Sequence, residues 1–340
     1  MRITVLLGGT SSERDVSIAS GLLIARALRE RGHAVVAVDT VKGPFTEAAE
    51  RGMLATPVMK HVPPTRAELD ALRAVEMERL AEVLPALSDT DVVFVGLHGG
   101  TGEDGTIQAL LDLAGLCYTG SGHLASALAM DKDLSKRLFR AAGVRTPNWI
   151  MAPADVATVR HEIGFPAIVK PANEGSTVGL SLVKREQDLG AAIEEAARHD
   201  PQVMIEQYIP GRELTVGILG DEALPVGEIL PKHEIYDYEC KYTAGMAEEQ
   251  FPADLTATQV ATLQQQALVA FRALKLSGYA RIDFRMTQAG ETHCLEANTL
   301  PGMTELSLMP QAARAAGLPF GELCERIALL ALNGKEVATD

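Results

Sequence analysis

Asp283, Glu296 and Asn298, with Arg281 beside them, are the residues of this 340-residue chain whose types and spacing best suit chemistry. They lie in RIDFRMTQAGETHCLEANTLPGMT (281–304), which reads as a hairpin of strands 280–286 and 291–297 around a two-residue turn at Ala289-Gly290. Ile282, Phe284 and Met286 alternate with Arg281, Asp283 and Arg285, so the polar set shares one face. That turn pairs Asp283 with Glu296 and Arg281 with Asn298, and opposed side chains on a sheet stand about 4.5–5.5 Å apart at Cβ. Two facing carboxylates repel unless a cation lies between them. Oxygen-only donors with room left for water and phosphate suit Mg²⁺, with Mn²⁺ as the alternative, better than Zn²⁺. The competing reading is an ordinary solvated polar face. The NTLPGMT tail favours the site, because a Pro-Gly turn straight after the donors lets backbone N–H groups approach a ligand.

Such a site needs a scaffold, and the chain is long enough for two or three domains with substantial cores. Hydrophobic residues make up 47% of it and aromatics only 4%, the balance of a soluble α/β protein. A formal charge of −14 leaves no basic stripe to neutralise a phosphate backbone, which argues against a nucleic-acid partner. Cys117, Cys240, Cys294 and Cys324 are scattered without a C-x-x-C pair, so neither a disulfide framework nor a zinc site is expected. No apolar run reaches membrane-spanning length, and Met1 leads straight into RITVLLGG without a targeting segment. A cytoplasmic protein with no membrane insertion is expected.

Residues 2–8 predict a strand ending in Gly8-Gly9, followed by a polar loop and a helix over about 15–30. AVVAVD (34–39) and DVVFVGL (91–97) read as further buried parallel strands. This order predicts an open wound sheet whose ligands bind beyond the carboxyl ends of its strands, which brings Glu13 and His98 to one rim. The glycine-rich LHGGTGEDGT (97–106) leads into a helix with Ile107, Leu110, Leu111 and Ala114 inward. Residues 41–90 read as an elaboration with a polar-faced helix over about 65–84 and no chemistry. A helix within 120–139 carries Leu124, Leu128, Leu134 and Leu138 as its apolar face, with Lys132 and Lys136 ordinarily solvated.

GFPAIVKPANEGSTVGLSLV (164–183) reads as strand, glycine-rich loop, strand. Lys170 ends the first strand, where a lysine is costly unless it meets an anion. The loop after it offers small residues and backbone N–H groups able to cradle phosphates, without the G-K-[ST] helix start of a Walker motif. VMIEQYIPGRELTVGIL (203–219) is strand, linker, strand. Beside a phosphate loop it makes an adenine slot, with Glu206 or Glu213 in reach of the amino group or a ribose hydroxyl. Residues 231–251, rich in tyrosine and charge, read as a loop that covers the site. A helix over about 258–274 returns the chain to the hairpin, and one over about 319–332 closes it.

GGTSSERDVS (8–17), LHGGTGEDG (97–105), MDKDLSK (130–136), KPANEGSTVG (170–179), YDYECKY (236–242), RIDF (281–284) and LEANTLPGMT (295–304) together resemble the D-alanine–D-alanine ligases of the ATP-grasp superfamily. The likeness runs in order over nearly the whole chain. It implies an N-terminal open parallel, Rossmann-like α/β domain that binds substrate (1–121), then the two α+β subdomains of an ATP-grasp fold, central (122–210) and C-terminal (211–340). It implies ATP-driven joining of two D-alanines through an acyl phosphate, for peptidoglycan precursor synthesis, in a cytoplasmic homodimer.

By the same resemblance Lys132 and Lys170 meet ATP phosphates, Glu174, Gly175 and Ser176 belong to the loop that closes over them, and Lys241, an ATP contact, completes the site with Tyr242 when the covering loop closes. Glu206, Gln207, Tyr208, Ile209 and Glu213 form the nucleoside side. Asp283, Glu296 and Asn298 hold Mg²⁺, expected as two ions. Arg281 and the Gly302 N–H face the developing oxyanion. Glu13 anchors the first substrate's ammonium, linked to Ser176 and Tyr242, with His98 as a further substrate contact. Ser307 and the Leu308 N–H take the second substrate's carboxylate. Gln207 departs from the lysine of some relatives, and Cys240 sits in the covering loop. The alternatives are ligation of D-alanine to D-lactate or D-serine and, from another class, a non-catalytic nucleotide-binding protein. The intact set of Lys170, Arg281, Asp283, Glu296 and Asn298 speaks against the last.

Overall fold

The computed structural model describes residues 1–55, 66–236 and 245–337. RITVLL forms β1 (Arg2–Leu7) and is buried from Ile3 onward, since an apolar run without alternation must be covered on both faces. With β2 (Ala34–Asp39), β3 (Gly43–Pro44) and β4 (Val92–Val95) it makes a sheet of order β3-β2-β1-β4. β1 runs parallel to both β2 and β4, and short β3 is antiparallel at the edge. The expected open parallel sheet is present. Because β1 and β4 are neighbours, the loops after them stand side by side at the carboxyl rim. Glu13 closes the first of these loops as the N-cap residue of α1 (Arg14–Glu30), and His98 lies in the second.

Residues 41–90 contribute more than was expected of them. They hold α2 (Glu47–Ala55) and α3 (Arg66–Val83), and α3 delivers a buried acid to the rim. Glu76 Oε1 accepts from Thr40 Oγ1 at 2.9 Å, and Oε2 accepts from Thr10 Oγ1 at 2.9 Å and Thr101 Oγ1 at 3.4 Å. Those threonines follow β2, β1 and β4, so one carboxylate ties three rim loops together. Replacing Glu76 with alanine strands buried hydroxyls without their acceptor and should cost about 2–4 kcal/mol of stability in urea unfolding. A loss under about 0.5 kcal/mol would mean that the knot is not a structural one.

α4 (Thr106–Leu113) buries Ile107 and Leu111 as expected but leaves Ala114, its C-cap, exposed. The stretch 120–139 is two helices rather than one. α5 (His123–Met130) stops at Asp131, whose carboxylate accepts from the Asp133 and Leu134 N–H groups and starts α6 (Lys132–Ala141). The break resets the helical phase. Leu124 and Leu134 are therefore exposed, while Ala125, Ala129, Lys132, Lys136 and Phe139 are buried. Of the expected leucines, Leu128 and Leu138 pack against the core while Leu124 and Leu134 do not, and both lysines point inward.

β5 (Trp149–Met151), β6 (Ala167–Pro171), β7 (Ser181–Val183) and β8 (Val203–Gln207) form an antiparallel sheet of order β5-β8-β6-β7. β9 (Arg212–Leu219), β10 (Glu222–Ala223), β11 (Gly227–Pro231), β12 (Ala247–Gln250), β13 (Tyr279–Met286) and β14 (Thr292–Asn298) form another, of order β12-β11-β9-β13-β14 with β10 on β9. Part of the expected loop 231–251 is therefore strand. β8 and β9 belong to different sheets, and the linker 208–211 crosses between them. The Ala257–Ala273 helix buries Leu263, Ala267 and Phe271 as expected. The closing Phe320–Val337 helix sends Leu323 and Ile327 into the core that also holds Leu6, Ile24 and Val95. Among the described residues no helix is long and apolar enough to cross a membrane.

Candidate active site

β13 and β14 pair Arg281 with Asn298 and Asp283 with Glu296, the expected register. The route to it differs. The loop holds Gln288, Ala289 and Gly290: the Thr287 N–H donates to the Glu291 carbonyl, and Gly290 takes φ +83°. This pairs Met286 with Thr292 and Phe284 with Cys294, one residue off the expected pairing. A bulge between the Phe284 and Asp283 pairs then takes up Leu295 and restores the register. The two departures cancel. The bulge also lets Leu295 and Glu296, successive residues, line the same cavity.

The Asp283 carboxylate accepts from Thr215 Oγ1 at 2.7 Å, from Arg281 Nε and Nη2 at 2.9 Å each, and from Asn298 Nδ2 at 2.9 Å. Glu296 faces Lys132 Nζ at 3.4 Å. Burial opposes the charge on Arg281, but Asp283 and then Glu296 outweigh it and raise its pKa. Among the described residues no three His, Cys, Asp or Glu side chains gather as a metal cage. Two carboxylates and an amide, leaving positions for phosphate and water, fit Mg²⁺.

Where phosphate contacts are expected, Lys132 Nζ donates to the Glu174 carbonyl at 2.7 Å. Gly175 packs close to Glu13, since a Cβ there would come within 2.7 Å of Glu13 Oε2 and make that carboxylate shift. Ser176 donates from Oγ to Glu13 Oε1, so the expected Glu13–Ser176 link is present. Lys241 and Tyr242 lie outside the described residues. Lys170 Nζ stands 2.7 Å from Glu206 Oε2, while Glu206 Oε1 takes Lys136 Nζ, which also donates to Thr146 Oγ1 at 2.8 Å. Lys136 is 0% exposed and lies 5.0 Å from the Trp149 ring centre. Both carboxylate oxygens of Glu206 are thus engaged by lysines, while the residue also lines the cavity in which a nucleoside contact was expected of it. Burial opposes the charge on Glu206, yet the two lysines hold its pKa below the usual range. Burial pushes Lys136 down to about 8. Gln207 is held by its N–H on the Asn148 carbonyl, while Tyr208, Ile209 and Glu213 all meet Arg285.

A second cavity is lined by Glu13, His98, Glu103, Gly302 and Ser307, and it meets the first at Gly175, Ser176, Tyr236, Arg281 and Leu308. Ser307 is the N-cap residue of the Leu308–Ala315 helix, and its Oγ accepts from the Thr304 N–H at 3.0 Å. Gly302 packs so closely that a Cβ would come within 2.8 Å of Ser307 Oγ. His98 is tied on both edges: Nδ1 donates to the Leu300 carbonyl at 2.8 Å and Nε2 meets Ser20 Oγ at 3.1 Å. Both ring nitrogens are held by the protein and tie loops together, while His98 lines the cavity in which a substrate contact was expected of it. Burial lowers its pKa.

Glu103, which lies within the LHGGTGEDG motif but was not among the expected site residues, lines the same cavity. Its Oε1 accepts from the Leu300 N–H at 3.2 Å and its Oε2 from the Gly99 N–H at 3.1 Å. With His98 on the carbonyl, the 97–105 loop grips both sides of Leu300, two residues before Gly302. Burial, then Glu13, pushes the Glu103 carboxyl from 4.5 up to about 8. The folded state therefore binds a proton that the unfolded chain has released. Stability from this group is full below about pH 4.5 and is lost as pH rises through about 8. Glu103→Gln should flatten that part of the profile of melting temperature against pH. Parallel profiles for the two proteins would contradict this.

Two family descriptions match the chain, "D-ala D-ala ligase N-terminus" over residues 2–121 and "D-ala D-ala ligase C-terminus" over 137–329. The chain belongs to the D-alanine–D-alanine ligase family. The D-alanine–D-alanine ligase of Geotalea uraniireducens (strain Rf4) is 42% identical over 96% of this chain and 94% of its own. That of Aquifex aeolicus (strain VF5) is 42% identical over 95% and 98%. The crystal structure of the ligase from Bacillus anthracis superposes with a TM-score of 0.80 at 31% identity, covering 99% of both chains. The same ligase complexed with ATP gives 0.78, again at 31% identity and over 99% of both chains. The resemblance read from the motifs and the α/β ATP-grasp fold that it implied are borne out.

Proposed function

We propose that this protein joins two D-alanines into D-alanyl-D-alanine with conversion of ATP to ADP and phosphate, supplying peptidoglycan precursors. One observation carries the reading: a chamber with two lysines and facing carboxylates adjoins a chamber with Glu13 and Ser307, and Arg281 is the guanidinium among the residues that line both. Phosphoryl transfer asks mainly for positioning and for spread positive charge, which Lys132 and Lys170 supply. Asp283, Glu296 and Asn298 are the residues to hold Mg²⁺, which when bound neutralises charge on phosphate oxygens. Glu13, oriented by Ser176 and Tyr242, holds the ammonium of the first D-alanine. Its carboxylate oxygen bonds to the γ-phosphorus as the bond to ADP breaks. The amine of the second D-alanine then bonds to the acyl carbon and gives up a proton, and phosphate leaves with the former carboxylate oxygen.

Arg281 and the Gly302 N–H stabilise the oxyanion of that second step, where losing one donor typically costs about 10²–10³ in rate. The start of the Leu308–Ala315 helix, with Ser307, takes the second carboxylate. Lys241 and Tyr242 complete the site from the covering loop, which keeps water from the acyl phosphate. We also propose a cytoplasmic homodimer, its state to be read by sedimentation. The function is tested by incubating the protein with ATP, Mg²⁺ and D-alanine, with and without D-lactate or D-serine, and resolving products by mass. D-alanyl-D-alanine is the expected product. A depsipeptide or a D-serine dipeptide as main product would overturn the substrate assignment, and no phosphate release would overturn the ligase reading.

A further inference from the structure

Arg281, Asp283 and Arg285 share one face of β13, on which successive same-face residues stand about 6.5–7 Å apart. This face runs from the junction of the two cavities at Arg281, past the facing carboxylates at Asp283, to the 208–213 segment at Arg285. Arg285 is buried, and its donors converge on that segment. Nε donates to the Ile209 carbonyl at 3.0 Å, Nη1 to Glu213 Oε2 at 2.9 Å and Nη2 to the Tyr208 hydroxyl at 3.3 Å. The guanidinium carbon lies 5.4 Å from the centre of the Tyr208 ring. Glu213 is its directly opposed partner on β9, and both line the cavity that contains Lys132 and Lys170. A planar fork that serves three acceptors at once is an arrangement that lysine cannot copy.

We propose that Arg285 is a positioning residue for the nucleotide, fixing Glu213 so that its carboxylate meets the sugar hydroxyls. This rests on the ATP-dependent reading of the same cavity. A carboxylate accepts hydrogen bonds and, when ionised, donates none, so a diol is its natural partner. Arg285 stands one same-face step from Asp283. A nucleotide whose phosphates face Asp283 has its sugar at the next step and its base beyond it, along the linker. Arg285 thus couples the carboxylate strand to the linker and sets the distance between the phosphate and sugar contacts.

The test uses the full-length protein, Arg285→Met and Arg285→Lys, with ATP, 2′-deoxyATP and 3′-deoxyATP as probes. The unaltered protein should prefer ATP over at least one deoxynucleotide by about ten-fold in KM, the weight of one charge-assisted hydrogen bond. Arg285→Met should raise KM for ATP about ten-fold, lower kcat at saturating ATP by less than about three-fold, and shrink the preference below about two-fold. Arg285→Lys should fall between the two, and it carries the test if the methionine variant does not fold. A merely structural role would raise KM for all three nucleotides alike; an unchanged preference in either folded variant overturns the proposal. So does an unaltered protein that fails to discriminate. If the unaltered protein releases no phosphate from ATP, the ligase reading itself fails and this proposal with it; ATP turnover with an unchanged preference sinks only the role of Arg285.

Discussion

Glu296→Gln should lower kcat by about 10³-fold or more while leaving the circular dichroism spectrum in place. The substitution keeps shape and removes one charge. In the fold Glu296 stands opposite Asp283 on the hairpin and 3.4 Å from Lys132, so it serves two cations, the proposed Mg²⁺ and Lys132, the lysine proposed to meet phosphate. Asp283 cannot take over, because its carboxylate is already shared among Arg281, Thr215 and Asn298. A neutral amide at 296 weakens both sources of charge stabilisation in the phosphoryl-transfer step. The backbone is held independently by the bulge and by pairing on both sides of β13, so the loss is expected in rate and not in folding. Retained turnover would mean that the hairpin does not hold the metal.

Lys136→Met should cost about 3–5 kcal/mol of stability and, in whatever fraction folds, raise KM for ATP by about ten-fold. Glu206 lies buried between Lys136 and Lys170, one carboxylate to two ammonium groups. Under the proposed ATP reading, Lys170 turns toward a phosphate while Lys136 keeps Glu206 neutralised. Without Lys136, any move of Lys170 strands a buried carboxylate, so Lys170 stays where it is and the phosphate loses a partner. The cost is larger than for a surface pair because neither charge can fall back on water. Urea unfolding and the dependence of rate on ATP concentration measure the two effects separately. Unchanged stability together with an unchanged KM would show that Lys136 is a bystander.

The β13–β14 strand pair was legible because its signals are local. Strand alternation puts Arg281 and Asp283 on one face, and the NTLPGMT turn fixes where the second strand ends. Even there, a three-residue loop and a bulge each shifted the pairing by one and cancelled. What stayed hidden depends on contacts between distant segments. Lys136 was taken as solvated because the leucine spacing suggests one continuous helix, and only the Asp131 cap reveals the change of phase. That Glu206 is held between Lys136 and Lys170 was hidden for the same reason. Glu76 sits on a helix whose polarity looks uniform, and its meaning appears only when Thr10, Thr40 and Thr101 converge on it. The His98–Leu300 tie spans 202 positions, and no periodicity marks such a pair.

The most direct test of the account follows the oxygen atoms. D-alanine labelled with ¹⁸O in both carboxylate positions is incubated with unlabelled ATP and Mg²⁺, and the phosphate released is weighed by mass spectrometry. Attack of the carboxylate on the γ-phosphorus, followed by displacement by the second amine, predicts one ¹⁸O in each phosphate and one dipeptide formed per phosphate. Unlabelled phosphate, or labelled phosphate without dipeptide, would contradict the account.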